Sequence, residues 1–469
     1  MYRHYNMYTP ITTSFVCYDP CSCCQSADQQ EEGILLDWVH PSMFQLWHDR
    51  QPRRRTDSVS GDCQQLKGLS AQRTCSQRLR HVRDYCSKRE AEEAENGAFS
   101  DLGEGGDVGD VNGRPSINDS VVDVFSYRRG KTMVMYCSVH KVASTYWLRL
   151  FRFLHNDTNT GPVASPEAVS KYKVHLTAFK ESRPLALAYV TRMLGPGDEE
   201  FRFLFTRNPY RRLWAVYIDK FVLPDFYFWS YHGRAIKDMS SQNYDSNQRL
   251  MIFNGCLEVS FEEFVRYAIQ DPSSPTAHSD DHLLPISRTC NPCAFQPHFI
   301  GRIESMTDDS WAVLERLNFT NLLQKKNFQD RALDQIRTVT EFVHDTVVAR
   351  GNLRFCVSDD ELQARLLRAF ILSGYFPPDV AEVRRTSVAT SVTDLLNMMK
   401  ELFLVYNRGE GEVEAQRKQF FVNAYDSLPR DLLYGVRDYY REDFNAFGYN
   451  PEPPELFAER QDKEQILSM

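Results

Sequence analysis

Residues 131–155, KTMVMYCSVHKVASTYWLRLFRFLH, narrow the fold more than any other stretch of the chain. Val134, Tyr136 and their neighbours form a short apolar, β-prone run, the pattern of a buried strand. Ser138-Val139-His140-Lys141 interrupts that run, and Thr145 to Phe151 resumes it at helical spacing. A strand feeding a short loop and then a helix is an anion-binding arrangement. The unpaired N–H groups and the positive dipole end of the first helical turn face the loop. Lys141 brings a mobile cation, and Ser144 and Thr145 bring hydroxyls. It is not a Walker A loop, because the Gly-x4-Gly-Lys-Ser/Thr spacing is absent and the loop holds no glycine. A single lysine at such a junction is more often a solvated surface residue, so this stretch alone does not establish a site.

Residues 201–221, FRFLFTRNPYRRLWAVYIDKF, repeat the arrangement. Phe201, Phe203 and Phe205 alternate with Arg202, Leu204 and Thr206 in a β-prone run. Asn208-Pro209 marks the turn, with proline where a first helical turn accepts it, and Leu213, Val216, Tyr217 and Phe221 continue at helical spacing. Arg207 falls at the strand's carboxyl end, and Arg211 and Arg212 on the first helical turn. Ligands of open parallel sheets bind outside the carboxyl ends of the strands, so two such junctions can grip one ligand with two anionic groups.

The 469 residues suffice for one large domain or two, and the net charge of −8 weighs against a general nucleic-acid binder. An anion-handling protein needs only a local basic cleft. Residues 1–74 show no sustained periodicity and read as a poorly structured leader. Cys17, Cys21, Cys23 and Cys24 cluster there; as a metal site they match no paired C-x2-C zinc pattern, and the plainer reading is a leader with acylated or unstructured cysteines. Residues 75–92 carry Leu79, Val82 and Cys86 at helical spacing, and residues 96–120 read as a flexible loop before a domain that begins near Val121. Val174 to Met193 reads as helical, ending near Gly195. The aromatic run Phe226, Tyr227, Phe228, Trp229, Tyr231 and His232 is either core or a platform for stacking sugar rings. Ser260 and Ser358 open helices through capping boxes. A second amphipathic helix over Leu395 to Phe403 is closed by Gly409, and a final one spans about Arg430 to Arg441. Three sequons begin at Asn118, Asn156 and Asn318. Cys137, Cys256, Cys290, Cys293 and Cys356 are an odd set for an oxidising compartment, so at least one is free or pairs with an N-terminal cysteine. Cys290-x2-Cys293 is also half of a zinc pattern that lacks its second half.

The two junctions resemble the signature of the carbohydrate sulfotransferases, specifically the Golgi branch holding the chondroitin and dermatan 4-O-sulfotransferases and the N-acetylgalactosamine 4-sulfotransferases. In that branch a Pro-Lys-Val-Ala-x-Thr-Asn-Trp loop holds the 5′-phosphosulfate of PAPS (3′-phosphoadenosine 5′-phosphosulfate), and an Arg-x-Pro-x-x-Arg-Leu-x-Ser-x-Tyr segment holds its 3′-phosphate. Here they stand as His140-Lys141-Val142-Ala143-Ser144-Thr145-Tyr146-Trp147 and as Arg207-Asn208-Pro209-Tyr210-Arg211-Arg212-Leu213-Trp214-Ala215-Val216-Tyr217. Three later pieces resemble the same branch in the same order: Asp281-His282 with Pro285 and Cys290-Asn291-Pro292-Cys293; Phe299 to Glu304; and Tyr439 to Tyr449. The likeness covers about residues 75–325 and 425–450. His140, Tyr146 and Ala215 depart from the branch's Pro, Asn and Ser, and the missing serine hydroxyl removes a charge-assisted hydrogen bond worth roughly 1–3 kcal/mol.

The resemblance implies an α/β, P-loop-like sulfotransferase fold over 121–455, a central parallel sheet flanked by helices, with a helical insertion at 326–425 and a polar tail at 456–469. The insertion reads as a lid, an acceptor-recognition element or an oligomerisation surface. The implied reaction moves a sulfonate from PAPS to a hydroxyl of a glycan, of galactosamine type in the branch it resembles, with no metal and no nucleic acid. Lys141 would neutralise the transferring group, Ser144 and Thr145 would cradle the 5′-phosphate, Arg207 and Arg212 would clamp the 3′-phosphate, and His282, oriented by Asp281, would take the hydroxyl proton. The resemblance implies a Golgi membrane protein facing the lumen, whereas no run of eighteen apolar residues or signal segment occurs in this sequence; an incomplete start is the expected reason. Two rivals are a catalytically inactive glycan-binding relative and a nucleotide kinase or NTPase, the latter opposed by the missing Gly-Lys-Ser/Thr.

Overall fold

The computed structural model describes residues 63–64, 66–100, 122–156, 163–176, 184–239, 258–270, 280–323, 325–349, 356–380, 389 and 391–458. The Cys17–Cys24 cluster, the sequon at Asn118, Cys256 and the end of the polar tail lie outside them. The described elements fall within one compact unit, residues 57–469.

Five strands form one sheet in the order β3-β1-β2-β4-β5: β1 is Asp123–Arg129, β2 Thr132–Cys137, β3 Leu185–Ala186, β4 Glu199–Thr206 and β5 Phe299–Arg302. β2, β4 and β5 run parallel, as expected. β1 does not: it returns antiparallel to β2 through Gly130, whose φ of 58° sits in the left-handed region where glycine is free of Cβ strain. All of β4 from Phe201 to Thr206 is buried, on both faces rather than one, because helices cover both sides of a central parallel strand.

The flanking helices are α1 (Leu69–Ser100), α2 (Ser144–Leu154), α3 (Lys171–Leu176), α4 (Pro209–Tyr217), α5 (Phe261–Ala268), α6 (Met306–Arg316), α7 (Phe328–Ala349), α8 (Asp359–Leu372), α9 (Val392–Tyr406), α10 (Glu410–Asp426), α11 (Arg430–Tyr439) and α12 (Arg441–Phe447). The continuous helix expected from Val174 to Met193 is absent. α3 is described over Lys171–Leu176, and Leu185–Ala186 pairs with β1 before a short helix at Leu187–Arg192. Ser260 forms the full capping box with Glu263, and the Ser358 side chain accepts from the Glu361 N–H. Gly409 does not close α9; Asn407 ends it in a left-handed conformation, and Gly409 caps the start of α10.

Two apolar cores result. One packs Leu79 and Val82 of α1, Tyr136, Trp147, Phe151, Phe203 and Val313 around the sheet. The other packs Tyr210, Leu213 and Val216 of α4 against Phe264, Leu366, Phe370, Met399, Phe403, Phe421 and Tyr425. The described helices α7 to α10 of residues 326–425 are therefore built into the second core with α4. α1 is joined to the sheet through Arg78, whose Nη1 donates to Asp309 Oδ2 (2.7 Å) and Ile300 O (2.9 Å).

The cysteines pair as Cys63–Cys75, Cys86–Cys293 and Cys137–Cys290. The odd set of five is resolved by Cys86 of α1, the more N-terminal cysteine with which Cys293 pairs. Cys356 is disulfide-bonded as well. Both cysteines of the C-x2-C pair are oxidised to separate partners, which removes them as thiolate ligands. Asn156 and Asn318, the described sequon asparagines, are both exposed. No helix among the described residues is long and apolar enough to cross a membrane.

Candidate active site

Because β2 and β4 are parallel neighbours, with Tyr136 opposite Phe203 and Cys137 opposite Leu204, their following loops leave the same edge of the sheet. In the first loop Val139 and Val142 are fully buried anchors, while Lys141 (φ 65°) and Ala143 (φ 64°) are left-handed. Left-handed residues alternating with an ordinary one are the backbone pattern of a nest, here formed without glycine. Each left-handed non-glycine costs about 1–3 kcal/mol and persists only where neighbours impose it. Those neighbours are arginines of the second junction: Arg212 Nε of α4 donates to His140 O (3.1 Å), and Arg207 Nη1 of the loop donates to Lys141 O (3.3 Å).

Lys141 Nζ lies 3.1 Å from Asp219 Oδ2, and Lys171 Nζ of α3 lies 3.2 Å from Asp219 Oδ1. Lys220 Nζ lies 2.7 Å from Asp225 Oδ2 and 3.8 Å from Asp219 Oδ2. Burial lowers the Lys141 ammonium to about 8, against the pull of Asp219, with Lys171 and Lys220 pushing the same way as burial. Burial would raise the Asp219 carboxyl, yet the three lysines hold it well below the usual carboxylate range. The result is a concentrated cationic patch at the start of α2.

The second loop divides the residues expected to hold a 3′-phosphate. Arg207 is half-buried; burial lowers its guanidinium to about 10, against the pull of Glu304. Arg212 is only 1% exposed, and its three donor groups go to His140 O, Leu284 O (2.7 Å) and Asp281 O (2.8 Å). It ties the first loop to residues 281–284 through three backbone carbonyls. Asn208 caps α4 by accepting from the Arg211 N–H (3.3 Å) and donates its own N–H to Glu304 Oε1 (2.9 Å). Pro209, Tyr210, Leu213 and Trp214 are buried in the core, Arg211 lies over the Phe421 ring at 5.0 Å, and Ala215 is half-buried. In the first loop Ser144 is buried, Thr145 Oγ1 meets His175 Nε2 at 2.9 Å, and burial lifts the half-buried Tyr146 hydroxyl to about 12.

Beside the lysines stands an imidazole cluster. His282 Nδ1 lies 2.8 Å from Asp280 Oδ1, so Asp280, not Asp281, orients the ring; Asp281 contributes only its carbonyl, to Arg212. Asp280 Oδ2 lies 3.3 Å from His232 Nε2, and His232 Nδ1 meets the Tyr267 hydroxyl at 2.8 Å. Burial would raise the Asp280 carboxyl, but hydrogen bonds from His232 and His282 hold it far below its ordinary value. Burial lowers the His282 imidazole, against Asp280 and with Lys220 and Lys141. The loop that carries His282 is held by Tyr440, whose hydroxyl donates to Leu283 O (2.5 Å), and by Asp443, which accepts from the Ile286 and Ser287 N–H groups at 2.8 Å each. The aromatic run divides as well. Phe228 and Trp229 are buried at 2%, while Tyr227 and Tyr231 are 44% and 61% exposed and stack on each other at 5.7 Å.

Asp219, Lys171, Lys220, His175 and His232 were not singled out as site residues. Asp219 and Lys220 follow Ala215 by about one helical turn, a spacing that was readable; the approach of Lys171 and His232 depends on packing.

The geometry brings a lysine-bearing loop and an imidazole cluster together beyond the ends of the parallel strands β2 and β4. Residues 127–372, more than half of the chain, match the family described as Sulfotransferase family. Carbohydrate sulfotransferase 8 of Homo sapiens is 30% identical over 212 residues, covering 45% of this chain and 47% of the relative. Its Mus musculus counterpart is 29% identical over 222 residues (47% and 50%), and carbohydrate sulfotransferase 11 of Mus musculus 26% over 211 residues (45% and 57%). The chain spans about half the length of these curated relatives. No solved structure matches. With a family match across the sheet, both loops and the imidazole cluster, the chain belongs to the sulfotransferase family.

Proposed function

We propose that this protein transfers a sulfonate from PAPS to a hydroxyl of a glycan, and that the acceptor is a galactosamine-type sugar of a chondroitin, dermatan or glycoprotein chain. The observation that carries this is Lys141, seated in a nest of backbone N–H groups, with His282 on the neighbouring loop. The residues fit the sulfonated end of such a donor. The loop's N–H groups suit an anion, Lys141 and Lys171 supply charge, and among the described residues Arg207 has one hydrogen bond, to Lys141 O, which leaves its other donors for a phosphate. The fit at the 3′-phosphate is thinner, because Arg212 is engaged and Ala215 has no hydroxyl.

When bound, PAPS supplies an activated sulfonate whose S–O bond to phosphate breaks as the acceptor oxygen bonds to sulfur. Lys141 and the loop N–H groups stabilise the charge that grows on the leaving oxygen. His282, its Nδ1 on Asp280, presents Nε2 to the acceptor hydroxyl and takes its proton. Positioning and charge stabilisation are the protein's contribution, as in phosphoryl transfer. The exposed Tyr227–Tyr231 pair offers an aromatic face to a pyranose ring. Disulfides across the domain support an oxidising, lumenal setting, in keeping with a Golgi location and membrane association.

Calorimetry with PAP, the 3′,5′-bisphosphate product, tests the donor site on the full chain. Saturable binding that weakens in both Lys141→Ala and Arg207→Ala is expected; a folded protein that ignores PAP rejects the reading. A second reading, an inactive glycan-binding relative, is favoured by the engagement of Arg212 and by Ala215. It predicts glycan binding without any PAPS-dependent transfer.

A further inference from the structure

The His140 and His282 rings stack with centroids 3.8 Å apart and planes 18° from parallel. This contact joins the loop that carries Lys141 to the loop that carries the proposed proton acceptor, and the scheme above makes no use of it. His282 is enclosed from several elements. His140 and Lys141 approach from the β2–α2 loop, Lys220 and Phe228 from the segments after α4, and Asp280 from its own loop, with His232 behind Asp280 and His175 of α3 farther off. The Phe228 and His282 rings meet in a T-shaped contact at 5.1 Å and 84°, and the His140 ring stacks on His282.

We propose that His140 is a positioning residue for His282: its stacked ring fixes the plane of the His282 imidazole and keeps water from one face, so that Nε2 meets the acceptor hydroxyl ready to take a proton. The proposal rests on the sulfotransferase reading for its chemistry, but not for its geometry. Two stacked imidazoles do not both carry charge, and Asp280 stands at His282, so a proton entering the pair goes to His282. His140 then acts as an uncharged aromatic face; burial and the neighbouring His282 and His175 all lower its own ring. Its shape matters here rather than its nitrogen chemistry, and a phenylalanine can replace it where an alanine cannot.

The test compares the full-length wild type with His140→Phe and His140→Ala. Ring-nitrogen NMR follows the His282 titration midpoint and tautomer in the free protein, calorimetry measures PAP affinity, and initial rates with PAPS and desulfated chondroitin are taken against pH. In His140→Ala the His282 midpoint is expected to rise by about 0.5–1 unit as water reaches the ring, and the acid limb of the rate profile to move up with it. There kcat is expected to fall about tenfold with the KM for PAPS changed less than about twofold, the pattern of a misplaced base. His140→Phe is expected to keep the low midpoint and to restore kcat to within about twofold of wild type. An unchanged midpoint and rate in His140→Ala overturns the proposal. Equal loss of PAP affinity in both variants also overturns it, because that assigns His140 to the donor. If the wild type neither binds PAP nor transfers sulfonate, the sulfotransferase reading fails by itself. The NMR midpoints then decide the stack alone: a rise in Ala but not in Phe upholds it, and no rise overturns it.

Discussion

At the scale of single residues, the Lys141–Asp219 contact governs what the anion loop can do. With Lys141 lowered to about 8, the free protein loses that charge as pH rises through about 8, whereas a bound anion favours the ammonium. Binding therefore takes up a proton in the alkaline range. PAP affinity is expected to weaken toward tenfold per unit above about pH 8, and calorimetry across pH should show the slope vanish in Lys141→Ala. That variant should also abolish transfer while keeping the wild-type melting profile; full activity in a folded Lys141→Ala protein would sink the catalytic assignment. Asp219→Asn tests the opposite partner. Its carboxyl is depressed, so its stabilisation is present above the unfolded carboxylate range and is lost as pH falls. Removing it leaves three lysines facing one another and is expected to cost about 3 kcal/mol in denaturant unfolding near neutral pH, with a flatter acid limb. Unaltered stability would mean that solvent already screens the cluster. The residue types were readable, since Lys141, Arg207 and His282 stand in recognisable strings. Their partners were not: Asp280 and Asp281 are adjacent, and only the loop geometry selects the first.

At the scale of elements, the site depends on how two loops and two strand ends are fastened. Cys137–Cys290 ties the end of β2 to the segment after His282, and Cys86–Cys293 ties the same segment to α1. The double substitution Cys137→Ser/Cys290→Ser is expected to cost roughly 2–5 kcal/mol and to lower kcat, read from chemical denaturation and initial rates. Unchanged values would show that Arg212, Tyr440 and Asp443 suffice to hold the loop. Gly301 on β5 faces Phe205 on β4, and a Cβ there would overlap the Phe205 ring. Gly301→Ala is expected to lose about 1–3 kcal/mol, visible as a lower Tm, through overpacking beneath the strand ends. Capping at Ser260 and Ser358 was legible, because a cap is a local affair of three or four residues. The end of α9 was misjudged for the same locality: a glycine two residues past Asn407 serves the next helix, and only the chain path distinguishes a stop from a start.

At the scale of the whole molecule, residues 326–425 are structural partners of α4 rather than an appendage. Leu366, Phe370, Met399 and Phe403 share a core with Tyr210 and Leu213, the Tyr425 hydroxyl donates to Tyr210 O at 2.8 Å, and Arg365 Nη1 donates to Val222 O at 3.1 Å. Deleting residues 359–406 is expected to abolish cooperative thermal unfolding and PAP binding together; a deletion protein that still melts cooperatively and binds PAP would show a separable module. The sequence by itself determined the two strand–loop–helix junctions, the α/β class and the family likeness, because each is carried by contiguous residues with a local periodicity or a local string. The tertiary structure alone decided the antiparallel β1, the pairing of Cys86 with Cys293, the engagement of Arg212 by the carbonyls of His140, Asp281 and Leu284, and the meeting of Lys171, Lys220 and His232 with Asp219 and Asp280. Those depend on which segments far apart in the chain are pressed together, and burial then sets charge and hydrogen-bond partners that no spacing encodes.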